Sequence, residues 1–241
     1  MLFNDTYTEF NHPEIGKAAY QVLQSLGYKV IVPSWSCCGR TLYSKGMLFE
    51  AKKKAEALMT ILSPYAEEGI FIVGLEPSCL FMMKDEFQGL IKHDERLKKV
   101  QKACITFDDF LHRHLVEGIL PLTFIHKKIN FKFHGHCHQK SSGGIQTSIE
   151  LLNGLPGVEA KAIDAGCCGM AGSFGYEKEH YEISMAIGNL KLFPAIIKGS
   201  SEGVFEVVAN GISCRQQIVD GTGRHALHLA EVIAQRLIIE K

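Results

Sequence analysis

At 241 residues and 26.8 kDa the chain has room for one large domain or two of ordinary size, and an apolar fraction of 46% can fill their cores. The 26 Lys and Arg residues balance 26 Asp and Glu, so there is no net field to hold nucleic acid or an acidic membrane surface. Eight cysteines make up about 3% of the chain, well below the roughly 8–10% of a small disulfide scaffold.

The first ten residues have neither a positive n-region nor an apolar h-region, so no secretory signal is visible and a cytoplasmic, reducing setting is expected. Apolar runs such as 70–75 fall far short of the roughly 18 residues of a membrane span, so any membrane association would be peripheral. In chain order, 1–3 reads as a strand stub, short for a buried position, which suggests a domain upstream in a longer relative. Pro13 fits a first helical position, and Ala18, Ala19, Val22, Leu23 and Leu26 share one helical face until Gly27. Residues 28–33 read as a strand ahead of Cys37-Cys38-Gly39. Met47, Ala51, Ala55, Leu58 and Leu62 mark a second helix, and 69–75 a buried strand running into Glu76-Pro77-Ser78-Cys79. Leu97, Val100, Cys104, Phe107 and Leu111 keep three- and four-residue spacing, which puts Cys104 on the core face of a helix.

The second half repeats the order. Residues 130–134 read as a strand ending at Cys137, 145–152 as a helix, and 158–163 as a strand ending at Cys167-Cys168-Gly169. Ile183, Ile187, Leu190 and Ile197 mark the next helix, and 204–209 a strand ending at Cys214. The predicted fold is α/β, an internal duplication of two β-α-β-α-β units with mainly parallel sheets, split as 1–125 and 126–241. Composition alone gives about 0.025 occurrences of the Cys-Cys-Gly triplet per chain, so two copies 130 residues apart are a signal.

Each of these cysteines lies just past the C-terminal end of a predicted strand, the edge where parallel α/β sheets bind ligands. Helices following each triplet are expected to stabilise thiolates through their N-terminal N–H groups, and Gly39 and Gly169 to let the backbone approach a bound group. Adjacent cysteines about 3.8 Å apart are too close for an unstrained disulfide. The chain has no C-x-x-C knuckle of the kind a mononuclear zinc site draws on. Adjacent thiolates fit a polynuclear iron–sulfur centre better, and Cys137, Cys167, Cys168 and Cys214 supply the four that hold a [4Fe–4S] cluster. The first half offers only Cys37, Cys38 and Cys79.

The duplicated Cys-Cys-Gly frame, with a single cysteine before and after it, resembles the cysteine-rich (CCG) domain family, which includes the heterodisulfide reductase B subunit and the iron–sulfur subunits of glycolate and lactate oxidases. The stretch Gly166 to Gly175, with Tyr181, Ser184 and Gly211-Ile212-Ser213-Cys214-Arg215-Gln216-Gln217, is most similar to the C-terminal iron–sulfur portion of FAD-linked D-2-hydroxy-acid oxidases. So are Asp5-Thr6-Tyr7-Thr8 and Pro13-Glu14-Ile15-Gly16. The resemblance implies an electron-transfer component, not catalytic alone, that works with a flavoprotein dehydrogenase carrying the FAD. The chain departs from the fullest family pattern where Asp5 replaces a leading cysteine and where Glu76 and Gly211 replace the first cysteine of each closing pair. Asp5 or Glu76 is thus the candidate oxygen ligand of a second site with Cys37, Cys38 and Cys79, and Arg215 and Arg40 are candidates to stabilise a negative cluster. A heterodisulfide or thiol redox enzyme, and a zinc-binding or metal-free module docking on a dehydrogenase, are the alternatives.

Among the remaining signals, His134, His136 and His138 alternate onto one face of an extended segment. Lys52-Lys53-Lys54 reads as a solvated face, and Met82-Met83 as core. No G-x-G-x-x-G or P-loop follows a predicted strand, and Gly221-Thr222-Gly223 reads as a loop, so no nucleotide or flavin site is expected in the chain itself.

Overall fold

A computed structural model describes residues 1–119, 122–199 and 203–238. The chain forms two compact units, Met1–Phe110 and Leu111–Lys241, each an α/β unit around one parallel sheet.

In the first unit β1 (Leu2–Phe3), β2 (Ile72–Gly74) and β3 (Cys104–Thr106) lie in the order β1-β2-β3, with Val73 paired to Leu2 on one side and Ile105 on the other. The Pro13–Ser25 helix begins on its proline, buries Ile15, Ala19, Val22 and Leu23, and is followed by Gly27 at φ 85°. The Leu48–Glu67 helix buries Ala51, Ala55, Leu58 and Leu62 and leaves the Lys52–Lys54 run exposed, as its pattern predicts. Met82 and Met83 are fully buried.

Two expectations for this unit are corrected. Residues 28–33 are not a regular strand: Leu2 N donates to Ile31 O at 2.8 Å, and Pro33, which has no N–H, closes the segment. Cys104 is not helical. The Leu97–Ala103 helix stops one residue earlier, and Cys104-Ile105-Thr106 is drawn into the sheet beside the apolar Ile72-Val73-Gly74. A helical stripe of apolar residues here runs on across two helices and the strand between them, because pairing with a buried parallel neighbour outweighs local spacing.

In the second unit β4 (Ile129–Phe133), β5 (Val158–Ala162), β6 (Glu206–Val208) and β7 (Ala226–Leu227) form an all-parallel sheet in the order β5-β4-β6-β7. The central β4 carries buried Phe131 and Phe133, and Lys132 pairs with Lys161 and Val207 in register. β7 is an additional strand that the sequence pattern missed; it holds only two residues, too few to show alternation. Gly221-Thr222-Gly223 is not a loop. It closes the Ile212–Thr222 helix, with Gly223 at φ 69° donating to Val219 O at 2.8 Å.

Candidate functional site

Three chain segments in the second unit leave the C-terminal edge of the sheet and deliver cysteines. From β4 the chain runs through His134-Gly135-His136 to Cys137, first residue of the Cys137–Ser141 helix. From β5 it reaches Cys167-Cys168-Gly169, and from β6 it enters the Ile212–Thr222 helix, whose third residue is Cys214. Cys137 and Cys167 are exposed, whereas Cys168 and Cys214 sit in the apolar core with Met170, Phe193, Val207 and Ile218.

The four sulfurs form one hydrogen-bonded chain, Cys137 to Cys167 to Cys168 to Cys214, with His134 bonded to Cys214 at its inner end. Cys167 is held far below the usual thiol range by bonds from Cys137 and Cys168 and from the N–H groups of Gly169 and Ala171. Cys214 is lowered by Cys168, His134 and the charge of His136. Cys137 is raised by its bond to Cys167 and by burial, and Cys168 by its bonds to Cys167 and Cys214 and by burial. The four sulfurs lie in one connected set, so a metal centre replacing their shared protons would meet four sulfur donors. The ligand atoms of His134, Cys168 and Cys214 lie within 4.8 Å of one another and, among the described residues, no comparable group occurs in the first unit.

The N–H donors to Cys167 come from a turn instead of the expected helix N-terminus. Gly169 (φ 102°), Ala171 (φ 45°) and Gly172 (φ 71°) are left-handed, which bars a helix from starting at the triplet; a short 3-10 turn at Phe174–Tyr176 precedes the Tyr181–Leu190 helix. In the first unit Gly39 caps the Arg40–Ser44 helix directly. The inner turn is nevertheless the same: Gly39 N lies 3.4 Å from Cys37 Sγ, and Gly169 N 3.4 Å from Cys167 Sγ.

On the side where a Cβ would project, both glycines are packed against protein. A Cβ on Gly39 would lie 3.2 Å from Ala51 O and Lys54 Cβ, and one on Gly169 would press on the Ser184 carbonyl. Each glycine lets its triplet pack on a helix. Arg215 also acts on backbone, donating from Nη1 to Ala209 O at 3.2 Å and Asn210 O at 2.6 Å, within the loop that delivers Cys214. Arg40 pairs with Glu86 at 2.7 Å and donates to Ser78 O at 3.0 Å.

The three histidines do not form one row: His136 and His138 lie together, and His134 sits deeper. His134 is buried against Cys214, His136 caps the Cys137–Ser141 helix by accepting from His138 N at 3.2 Å, and His138 stacks on His136 with centroids 5.3 Å apart. The strand period ends at Phe133, before their alternation begins.

The first unit gathers Cys37, Cys38 and Cys79, with Cys38 bonded to both others. Asp5 is buried there but caps the Thr6–Phe10 helix: Oδ1 accepts from Tyr7 N at 2.8 Å and Thr8 N at 3.1 Å, and Oδ2 from Thr8 Oγ1 at 2.9 Å. Glu76 caps the Pro77–Phe81 helix, its Oε1 accepting from Ser78 Oγ at 2.7 Å and Ser78 N at 3.2 Å. Both residues that stand in cysteine positions therefore work as helix caps. Burial, then the charge of Glu76, pushes Asp5 up to about 6. The bond from Cys38 favours a Cys79 thiolate, but burial and the charges of Asp5 and Glu76 outweigh it and push Cys79 up to about 11. Cys37 is raised by its bond to Cys38 and by burial.

Residues singled out less clearly in the sequence matter here. Gln217 and Ser184 bond beneath the second triplet, and Lys140 reaches over it. The glycine at every third position from Gly166 to Gly175 was a readable sign of the left-handed turn.

Fold and site together define a duplicated α/β protein whose two units each gather cysteines beside a parallel sheet. The chain belongs to the CCG cysteine-rich domain family, whose pattern matches it twice, at residues 6–84 and 131–218. It is 31% identical over 239 residues to the C subunit of the anaerobic glycerol-3-phosphate dehydrogenase of Escherichia coli (strain K12), covering 98% of this chain and 58% of that protein. It is 26% identical over 247 residues to the D-2-hydroxyglutarate dehydrogenase of Pantoea ananatis (strain AJ13355), 97% of this chain and 22% of that protein. It is 24% identical over 248 residues to lactate utilization protein A 2 of Bacillus cereus (strain Q1), 98% of both. The chain thus spans little more than half of the first of these and a minor part of the second. Among the described residues no helix is long and apolar enough to cross a membrane.

Proposed function

We propose that this chain is the iron–sulfur electron-transfer component of an FAD-linked dehydrogenase that oxidises a hydroxyl-bearing carbon, a D-2-hydroxy acid or a similar polar compound. The observation that carries the reading is the continuous set of four sulfurs, Cys137, Cys167, Cys168 and Cys214, brought from three strand ends to one edge of a parallel sheet. That donor set fits a [4Fe–4S] cluster, which when bound supplies one-electron storage. The names of the similar proteins support the partner: they are a component of a dehydrogenase, a dehydrogenase, and a lactate utilization protein.

The protein's own residues do the rest. Buried Cys168 and Cys214 and exposed Cys137 and Cys167 would hold such a centre between core and surface, and the N–H groups of Gly169 and Ala171 would offset negative charge on Cys167. An exposed edge suits exchange with a partner flavin, and dehydrogenation takes place on that partner. The chain without a flavoprotein should show no turnover with lactate, 2-hydroxyglutarate or glycerol 3-phosphate. After anaerobic reconstitution it should accept electrons from a reduced flavoprotein dehydrogenase, followed by the bleaching of its visible absorbance. A chain that carries no iron contradicts the proposal.

A second reading is a zinc-binding docking module, favoured by the mutual approach of His134, Cys168 and Cys214 within 4.8 Å. Zinc in place of iron in anaerobically purified protein would select it.

A further inference from the structure

The Cys137–Ser141 helix sends one long side chain back across the site. Lys140 Nζ donates to Ala165 O at 2.5 Å and Gly166 O at 3.1 Å, the two residues just before Cys167-Cys168. Its stem lies over Gly135, where an added Cβ would come within 3.1 Å of Lys140 Cε. The side chain therefore ties the helix that begins at Cys137 to the loop that delivers the second triplet. The ammonium is half-buried and within electrostatic reach of Cys214, Cys137, Cys167 and Cys168 alike. Burial lowers its pKa, and all four sulfurs act in the opposite direction. Arg215, the other nearby cation, is turned toward the carbonyls of Ala209 and Asn210.

We propose that Lys140 is a positioning residue whose fixed positive charge sets the reduction potential of a cluster held by Cys137, Cys167, Cys168 and Cys214. This rests on the iron–sulfur reading above. Adding one electron to such a centre makes it more negative, so a nearby cation stabilises the reduced state more than the oxidised one. A half-buried charge is screened less than a surface lysine, and the two carbonyl bonds keep it from swinging into solvent. A compact ammonium with three donors can bridge two carbonyls and still face the sulfurs.

The test uses the full chain, reconstituted anaerobically, with iron and sulfide counted and the midpoint potential read by dithionite titration under paramagnetic resonance. Lys140→Met removes both the charge and the bonds, Lys140→Gln keeps an amide donor for the carbonyls without the charge, and Lys140→Arg keeps the charge. The expected result is a midpoint shifted to more negative potential in both neutral variants at unchanged iron content, with Lys140→Arg close to wild type. Loss of iron from both neutral variants but not from Lys140→Arg also supports the proposal, since the charge then holds the cluster. A neutral variant that loads fully with an unshifted midpoint overturns it, as does loss of iron from all three variants, which would make the side chain a brace alone. A wild-type chain without iron removes the iron–sulfur reading itself, and this inference with it.

Discussion

Gln217 donates its side-chain amide to both the carbonyl and the hydroxyl of Ser184, each at 3.0 Å, and both residues are about 1% exposed. The bond joins the Ile212–Thr222 helix, which carries Cys214, to the Tyr181–Leu190 helix, against whose Ser184 carbonyl Gly169 packs. One buried amide thereby fixes the relative position of two of the three segments that bring sulfur to the site.

Gln217→Ala leaves the Ser184 hydroxyl and carbonyl facing a void, and buried groups that lose a partner cost about 1–3 kcal/mol each. The second unit should lose about 1–3 kcal/mol of stability, read as a lower midpoint in urea unfolding. Ser184→Ala, which removes one acceptor and keeps the other, should cost less. Equal losses in the two variants, or none, would contradict this account of the bond.

The two triplet glycines predict an unequal pair. Gly39 (φ 81°) and Gly169 (φ 102°) are both left-handed, so alanine at either costs about 1–2 kcal/mol from the backbone alone. At Gly169 the new methyl also presses on a backbone carbonyl that cannot move without its helix, whereas at Gly39 the nearest atoms are 3.2 Å away. Gly169→Ala should therefore lower the melting temperature more than Gly39→Ala, and lower iron retention as well. A Gly169→Ala protein as stable as Gly39→Ala would refute the packing role.

Asp5 gives a prediction in pH. Its folded pKa is raised to about 6 from 3.8, by burial first and the charge of Glu76 next. The folded state thus binds the proton more tightly than the unfolded chain. Its contribution is complete below about pH 3.8 and is lost as pH rises through about 6, a change of about 3 kcal/mol. Asp5→Asn keeps an oxygen for the Tyr7 and Thr8 N–H groups and removes the titration. The stability of the variant relative to wild type should rise between pH 4 and pH 7, read from urea midpoints. A difference that does not change with pH would show that Asp5 does not carry this proton.

The sequence carried the strand-end cysteines plainly, because an apolar run that stops at a cysteine is a local feature, and the repeat fixed which cysteines belong together. It carried the long helices for the same reason. What was not legible arises from contacts between segments. Cys104 joins a sheet because β2 lies beside it, and no spacing within 97–111 reports that neighbour. The triplet glycines gave no sign of the helices packed beside them, where an added Cβ would meet Ala51, Lys54 and Ser184. Lys140 and His134 stood in the sequence as an unremarked lysine and one of an alternating trio, and only the loops that bring Ala165, Gly166 and Cys214 to them give them a role.

The difference between the two units is the centre of the account, since the chain has four sulfurs in one and three sulfurs with two helix-capping carboxylates in the other. The 241-residue chain should be reconstituted anaerobically as wild type, as Cys37→Ser/Cys38→Ser/Cys79→Ser, and as Cys137→Ser/Cys214→Ser, and its iron, sulfide and zinc counted alongside paramagnetic resonance of the reduced protein. The account predicts about four irons per chain in the wild type and the first-unit variant, with the same resonance, and none in the second-unit variant. Iron that follows Cys37, Cys38 and Cys79 instead, or zinc as the metal of the wild-type chain, would contradict it.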